Sequence, residues 1–125
     1  MDGGKPHFPR QALIDAYGNG GFRFADMSHR GSLLCLPSGI WAWHVEAAGE
    51  IDETSLQPVF AEADKLDLLV VGSGSTLWQM PETMRRRLRE LRVGLDIMLT
   101  STAVRTYNIL LAERRRIAAA LIAVA

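Results

Sequence analysis

The sequence predicts a single α/β domain, and three observations carry that reading. Its 125 residues suit one hydrophobic core and are too few for two. The first third sets short strand-like runs between glycine-rich turns, the pattern of a β meander. Beyond residue 52, apolar positions at helical spacing alternate with unbroken aliphatic runs, the rhythm of parallel strands joined by helices.

Residues 1–9 hold two prolines and two glycines without periodicity and read as a flexible leader, which leaves 10–125 as the domain. A strand is expected over 12–17, closed by Gly18-Asn19-Gly20-Gly21, whose residues tolerate positive φ. Phe22-Arg23-Phe24 alternates with period two and predicts the returning strand. Residues 32–36 and 40–45 form two more strands around Pro37-Ser38-Gly39. The second places Trp41, Trp43 and Val45 on one face and Ile40, Ala42 and His44 on the other.

The period then changes. Asp52 or Thr54 is placed to cap a helix carrying Leu56, Val59, Phe60 and Ala63 inward. The run 68–71, stopped by Gly72, has the look of a strand buried on both faces. Pro81 suits the first turn of a second helix with Met84, Leu88 and Leu91 as its apolar stripe, ended by Gly94. Another buried strand covers 95–99. Thr100 or Ser101 caps a third helix running to about Glu113, with Ala103, Tyr107, Leu110 and Leu111 inward, and 117–124 reads as a last strand.

Composition narrows the function classes. Lysine plus arginine equals aspartate plus glutamate, 14 against 14, so neither nucleic acid nor an anionic membrane is an expected partner. The single cysteine, Cys35, excludes an intrachain disulfide and multi-cysteine metal sites, and within LLCLP it reads as a small hydrophobe. No signal or transit segment is apparent, and the longest apolar tract, 117–125, falls well short of the roughly twenty residues a spanning helix needs. A cytoplasmic protein is expected.

The segment VVGSGST follows a buried strand. Its glycines free backbone N–H groups to meet an anion, and its hydroxyls add donors. The next parallel strand ends in LTSTA. Because ligands of open α/β sheets gather beyond the carboxyl ends of strands, Gly72, Ser73, Gly74, Ser75, Thr76, Thr100, Ser101 and Thr102 form the candidate ligand crevice. The loop lacks the lysine of a P-loop, the third glycine of a dinucleotide fingerprint and the Gly-x-Ser-x-Gly order of a nucleophile elbow. The same glycines and hydroxyls also serve a tight strand exit with capped backbone. His7 falls in the leader, His29 in an expected loop and His44 on a strand. No metal-ligand spacing occurs, so no catalytic residue, cofactor or metal is assigned. The helix PETMRRRLRELR gathers Arg85, Arg86, Arg89 and Arg92 as a candidate interface, partly neutralised by Glu82–Arg86 and Arg86–Glu90 at i,i+4.

The strings GGFRF, GSLLCLPSGIWAW, LLVVGSGS and GLDIMLTSTAVRTYNILLAERRRIAAAL carry a resemblance. Their distinctive pieces are Gly72-Ser73-Gly74, Thr100 with Ala103, Tyr107-Asn108, and Glu113 with the arginines after it. Together they resemble a domain-of-unknown-function family that includes an adipogenesis-associated protein and a mitochondrial assembly factor for respiratory complex I. Where that family often has glycine after the glutamate, this chain has Arg114. The resemblance implies a three-layer fold with a mixed central sheet, about three flanking helices and an antiparallel last strand. It brings no catalytic residues. By analogy it implies help in assembling a membrane complex. Two functions are therefore carried forward. One is a non-enzymatic binding or assembly module with a protein partner, and self-association, through the arginine helix or the tryptophan-bearing sheet. The other is a small-molecule or phosphate-binding domain, or an enzyme, using the 72–76 and 100–102 loops.

Overall fold

The computed structural model describes residues 5–125. Residues 1–4 of the expected leader lie outside that range. The rest of it runs beside the sheet, where His7 N–H donates to the Ile40 carbonyl (2.7 Å) and Ile40 N–H to that of Phe8 (3.0 Å).

Three short strands, β1 (Ala16–Gly18), β2 (Gly21–Phe24) and β3 (Met27–Arg30), form an antiparallel sheet. The first hairpin turns on Asn19 and Gly20, both at positive φ, as the sequence led us to expect. The second turns on Ala25 (φ 49°) and Asp26 (φ 61°). Asp26 tolerates the left-handed region but Ala25 does not favour it, and with no glycine beside them β3 was not expected; His29 lies on a strand rather than in a loop. The strand expected over 12–17 is regular only from Ala16, because residues 12–14 are held by side chains of the third helix instead (described below).

The larger sheet comprises β4 (Ser32–Leu36), β5 (Gly39–Trp43), β6 (Leu68–Gly72), β7 (Gly94–Met98) and β8 (Ile117–Leu121), in the order β5-β4-β8-β6-β7. The last strand, β8, is antiparallel to β4 and parallel to β6, and β6 is parallel to β7, so the sheet is mixed as the resemblance implied. Period-two alternation divides its side chains between two cores. Leu34, Leu36, Leu69, Val71, Ala118 and Ala120 face one layer; Leu33, Cys35, Val70, Ala119 and Leu121 face the other.

Over the first face lie α1 (Gln57–Ala61) and α2 (Glu82–Glu90); over the second lie α3 (Thr100–Ala112) and the small sheet. Three layers result. The first helix is shorter than its apolar spacing suggested. Asp52 Oδ1 accepts the Ser55 N–H (2.7 Å) and so closes a turn ahead of α1 rather than capping it. Helix α2 starts after Pro81, which occupies its N-cap, and it stops at Arg92, not Gly94. Arg92 adopts φ 62°, and Val93 N–H reaches back to the Leu88 carbonyl (2.9 Å) while Arg92 N–H reaches Arg89 (3.0 Å). That is the Schellman pairing. Helix α3 ends identically, with Arg114 at φ 62°, Arg115 N–H on the Leu110 carbonyl and Arg114 N–H on Leu111. No described helix is long and apolar enough to cross a membrane.

Candidate functional site

The strand-exit residues do meet. Gly72 ends β6 with its Cα hydrogen facing α3. A Cβ there would lie 3.0 Å from Thr100 Oγ1, 3.1 Å from Ala103 Cβ and 3.1 Å from Leu121 Cδ2. Gly72 C=O accepts the Ile122 N–H (3.0 Å), and Ser73 N–H donates to the Met98 carbonyl (2.8 Å). The Ser73 hydroxyl turns back to the Thr76 carbonyl (2.7 Å). Gly74, at φ 89°, donates its N–H to Thr100 Oγ1 (2.9 Å), and its carbonyl accepts the Thr100 N–H (3.0 Å).

Thr100 is the joint of this arrangement. Expected as a helix cap, it lies inside the first turn of α3, with Leu99 at the N-cap and no side-chain cap bond. Its buried hydroxyl instead accepts from Gly74 and donates to the Ile122 carbonyl (2.7 Å). One hydroxyl therefore ties the ends of β6, β8 and the α3 turn together. Ser75, Thr76, Ser101 and Thr102 remain exposed around it, and Leu77 projects beyond them with 81% of its surface accessible. Among the described residues, no buried side-chain polar atom lacks a partner.

The Tyr107-Asn108 pair is a second joint. Tyr107 donates from its hydroxyl to the Ala12 carbonyl (2.8 Å). Burial pushes that phenol well above the ordinary tyrosine range, and the adjoining Cys35 pushes it further. Cys35 is fully buried, and burial raises its thiol to about 12. A thiol so protonated at neutral pH does not serve as a nucleophile.

On α2 the arginines divide by face. Arg85 donates from Nε to the Met80 carbonyl (2.9 Å), and Arg87 lies over the Phe60 ring of α1 at 5.3 Å. Arg89 pairs with Glu82, whose carboxyl is held below its usual range chiefly by that hydrogen bond. This contact, seven residues apart, stands where i,i+4 pairing of Glu82 and Glu90 with Arg86 was expected. Among the described residues no side chain bonds the exposed Arg86, and Arg92 lies between α2 and β7, two residues before the strand. Tryptophan gives no exposed face here: Trp43 is buried with its indole N–H on the Ser55 carbonyl (2.9 Å), and Trp41 and Trp78 pack half-buried against the same core.

Concavities lie beside β5 and between β1 and α3, the second reaching Ser101 of the expected crevice. Trp43, His44, Ser55 and Pro58 bound the first, and Tyr17, Arg105 and Ile109 the second. His29 sits with its ring centroid 4.7 Å from that of His7, and burial lowers its pKa below 6.5, with His7 adding to the effect. Among the described residues, no group of three or more histidine, cysteine, aspartate or glutamate side chains is placed to hold a metal.

Comparison with known proteins gives this geometry a lineage. A family model described as a protein of unknown function (DUF498/DUF598) matches residues 14–122. An uncharacterised protein of Rhodobacter capsulatus is 37% identical over 118 residues, covering 94% of this chain and 90% of that protein. The crystal structure of an outer membrane protein from Bartonella henselae superposes with a TM-score of 0.92 at 50% identity, covering 95% of this chain and all of that one. The Xenopus tropicalis protein named NADH dehydrogenase [ubiquinone] 1 alpha subcomplex assembly factor 3 is 29% identical over 110 residues. The match covers 88% of this chain and 60% of that protein's length.

Proposed function

The chain belongs to the DUF498/DUF598 family of proteins of unknown function, and from that membership we propose that it is a non-enzymatic protein-binding module that assists assembly of a respiratory membrane complex. One observation carries the reading. Of the residues that mark the resemblance, Gly72, Ser73, Gly74, Thr100, Ala103, Tyr107 and Asn108 are engaged in internal joints, while Glu113 and the arginines after it lie exposed. What remains outward is a surface, chiefly the arginine flank of α2, and arginine is enriched where proteins meet. The assembly-factor name of the vertebrate relatives supports the direction of that role.

Deleting the chain's gene in its own organism tests this. Native gels of the membranes should show less intact NADH dehydrogenase complex, with the other respiratory complexes unchanged and the loss restored by the wild-type gene. Normal levels of that complex in the deletion strain would sink the reading. The small-molecule alternative rests on the exposed hydroxyls of Ser75, Thr76, Ser101 and Thr102 around the Gly74–Thr100 joint. A thermal-shift screen against anions, nucleotides and common cofactors is its test, since ligand at a hundred times its Kd stabilises by about 2.7 kcal/mol.

A further inference from the structure

Strand β7 ends the larger sheet, and nothing among the described residues pairs with its outer side. Its register shows which groups are free. Gly94 N–H bonds the Asp67 carbonyl and Met98 C=O accepts from Ser73, so residues 94, 96 and 98 turn toward β6. Leu95 and Ile97 therefore direct their N–H and C=O groups outward. An edge strand of this kind is a template for another strand unless charge or cover prevents it.

The charge around this edge is one-sided. Helix α2 packs over β7 through Met84, Leu88 and Leu91, against Leu95 and Ile97. Arg87 over Phe60 marks the flank of α2 turned toward α1, which lies on the β5 side of the layer with Ser55 against Trp43. At about 100° per residue, Arg85 and Arg89 occupy the opposite flank, beyond the outer side of β7, with Arg86 exposed between the two flanks. Arg92 stands two residues before the edge begins. Glu82 answers only one of these guanidinium groups. On the other sheet face, β7 shows the exposed carboxylate of Asp96.

We propose that the outer edge of β7 receives an extended segment of a partner protein as an added strand, with acidic side chains at alternate positions on its α2-facing side. Main-chain bonds to Leu95 and Ile97 supply the pairing, and Arg89 and Arg92, on the side of the outer edge, select the acids, the exposed Glu82 pair of Arg89 being weak enough to exchange. Asp96 repels acidic side chains on the opposite side, which fixes the register to period two. A second copy of this chain is the weaker occupant. Two-fold pairing of β7 with itself brings two arginine flanks together on one face and two Asp96 carboxylates together on the other. The proposal rests on the protein-binding reading and names the partner's chemistry.

The probe is a fluorescein-labelled peptide of about twelve alternating glutamate and threonine residues, long enough to span the strand. Titrated into the isotope-labelled full chain, it should shift the Leu95 and Ile97 amides and protect them from hydrogen exchange. Its affinity should fall at least about tenfold in Arg89→Glu/Arg92→Glu and in Ile97→Pro, whose lost N–H faces away from β6. Should Ile97→Pro fail to fold, the same peptide N-methylated at alternate residues blocks the ladder without touching the protein, and it should lose the same affinity. Binding that ignores the N-methyl groups is mere polyanion attraction and overturns the proposal, as does a β7-dependent dimer in place of peptide binding. An Ile97→Pro chain that restores complex assembly in the deletion strain removes the edge proposal and leaves the assembly reading standing.

Discussion

The side-chain amide of Asn108 closes both main-chain hydrogen bonds of Ile14: Ile14 N–H donates to Oδ1 at 2.8 Å, and Nδ2 donates to the Ile14 carbonyl at 2.9 Å. A helix side chain thus does what a neighbouring strand would do for residues just before β1. With Tyr107 on the Ala12 carbonyl, α3 staples the entry segment to the core. Asn108→Asp removes the donor and sets a carboxylate against a carbonyl oxygen. It should lower stability by about 1–3 kcal/mol, the cost of leaving a part-buried acceptor unpaired. Urea unfolding reads this directly. An unchanged midpoint would mean that water replaces the amide without loss.

The Gly72–Thr100 approach yields a second prediction. Gly72→Ala places a methyl at 3.0–3.1 Å from three side chains, two on α3 and one on β8, both closely packed. We expect a loss of about 1–3 kcal/mol. Thr100→Val, isosteric but without the hydroxyl, strands the Gly74 N–H and the Ile122 carbonyl and should cost a similar amount. If both variants unfold at the wild-type urea midpoint, the strand exit is less tightly joined than these distances indicate.

Much of this fold was legible because burial imposes period. The run 68–71 announces a strand covered on both faces, and the alanines of β8 fit a central strand packed from two sides, whereas the strand expected to be buried at 95–99 is the edge strand β7, none of whose residues is fully buried. What escaped was either local strain or relative position. Ala25 and Asp26 turn left-handed with no glycine to signal it, so β3 was hidden. The free edge of β7 has one mark in the sequence, Asp96 within the apolar run 95–99, and that charge was passed over. Of the 72–76 and 100–102 loops, Gly74 and Thr100 lie side by side. The hydroxyls of these loops could not be divided from sequence into those facing solvent and those, like Ser73 and Thr100, bonded inward.

Arg92 and Arg114 both hold the left-handed position where helices usually place glycine. Glycine there relieves strain of about 1–2 kcal/mol but adds freedom to the unfolded chain, so each of Arg92→Gly and Arg114→Gly should stabilise by a net of about 0.5–1 kcal/mol. The two sites are remote in sequence and end different helices, and their effects should add in thermal or urea unfolding. At Arg92 the gain should come with weaker binding of the acidic peptide, whereas Arg114→Gly should leave that binding alone. A loss of stability at either site would mean that its guanidinium supports the fold.

His29 supplies the pH dependence. Its pKa is lowered in the folded protein, by burial first and then by the neighbouring His7, while its ring nitrogen lies 3.2 Å from the Ser32 carbonyl. The unfolded chain therefore binds the proton more readily, and the free energy of unfolding falls as pH drops through the ordinary value of 6.5 toward the lower folded one. Above that value the contribution is fully present. Urea unfolding at a series of pH values between about 7.5 and 5 should show midpoints declining with acid, and His29→Gln should flatten the decline. Because His29 stacks against the segment paired to Ile40, acid should also lower the protection factor of the Ile40 amide before global unfolding. Equal slopes in wild type and His29→Gln would assign the acid sensitivity to other groups.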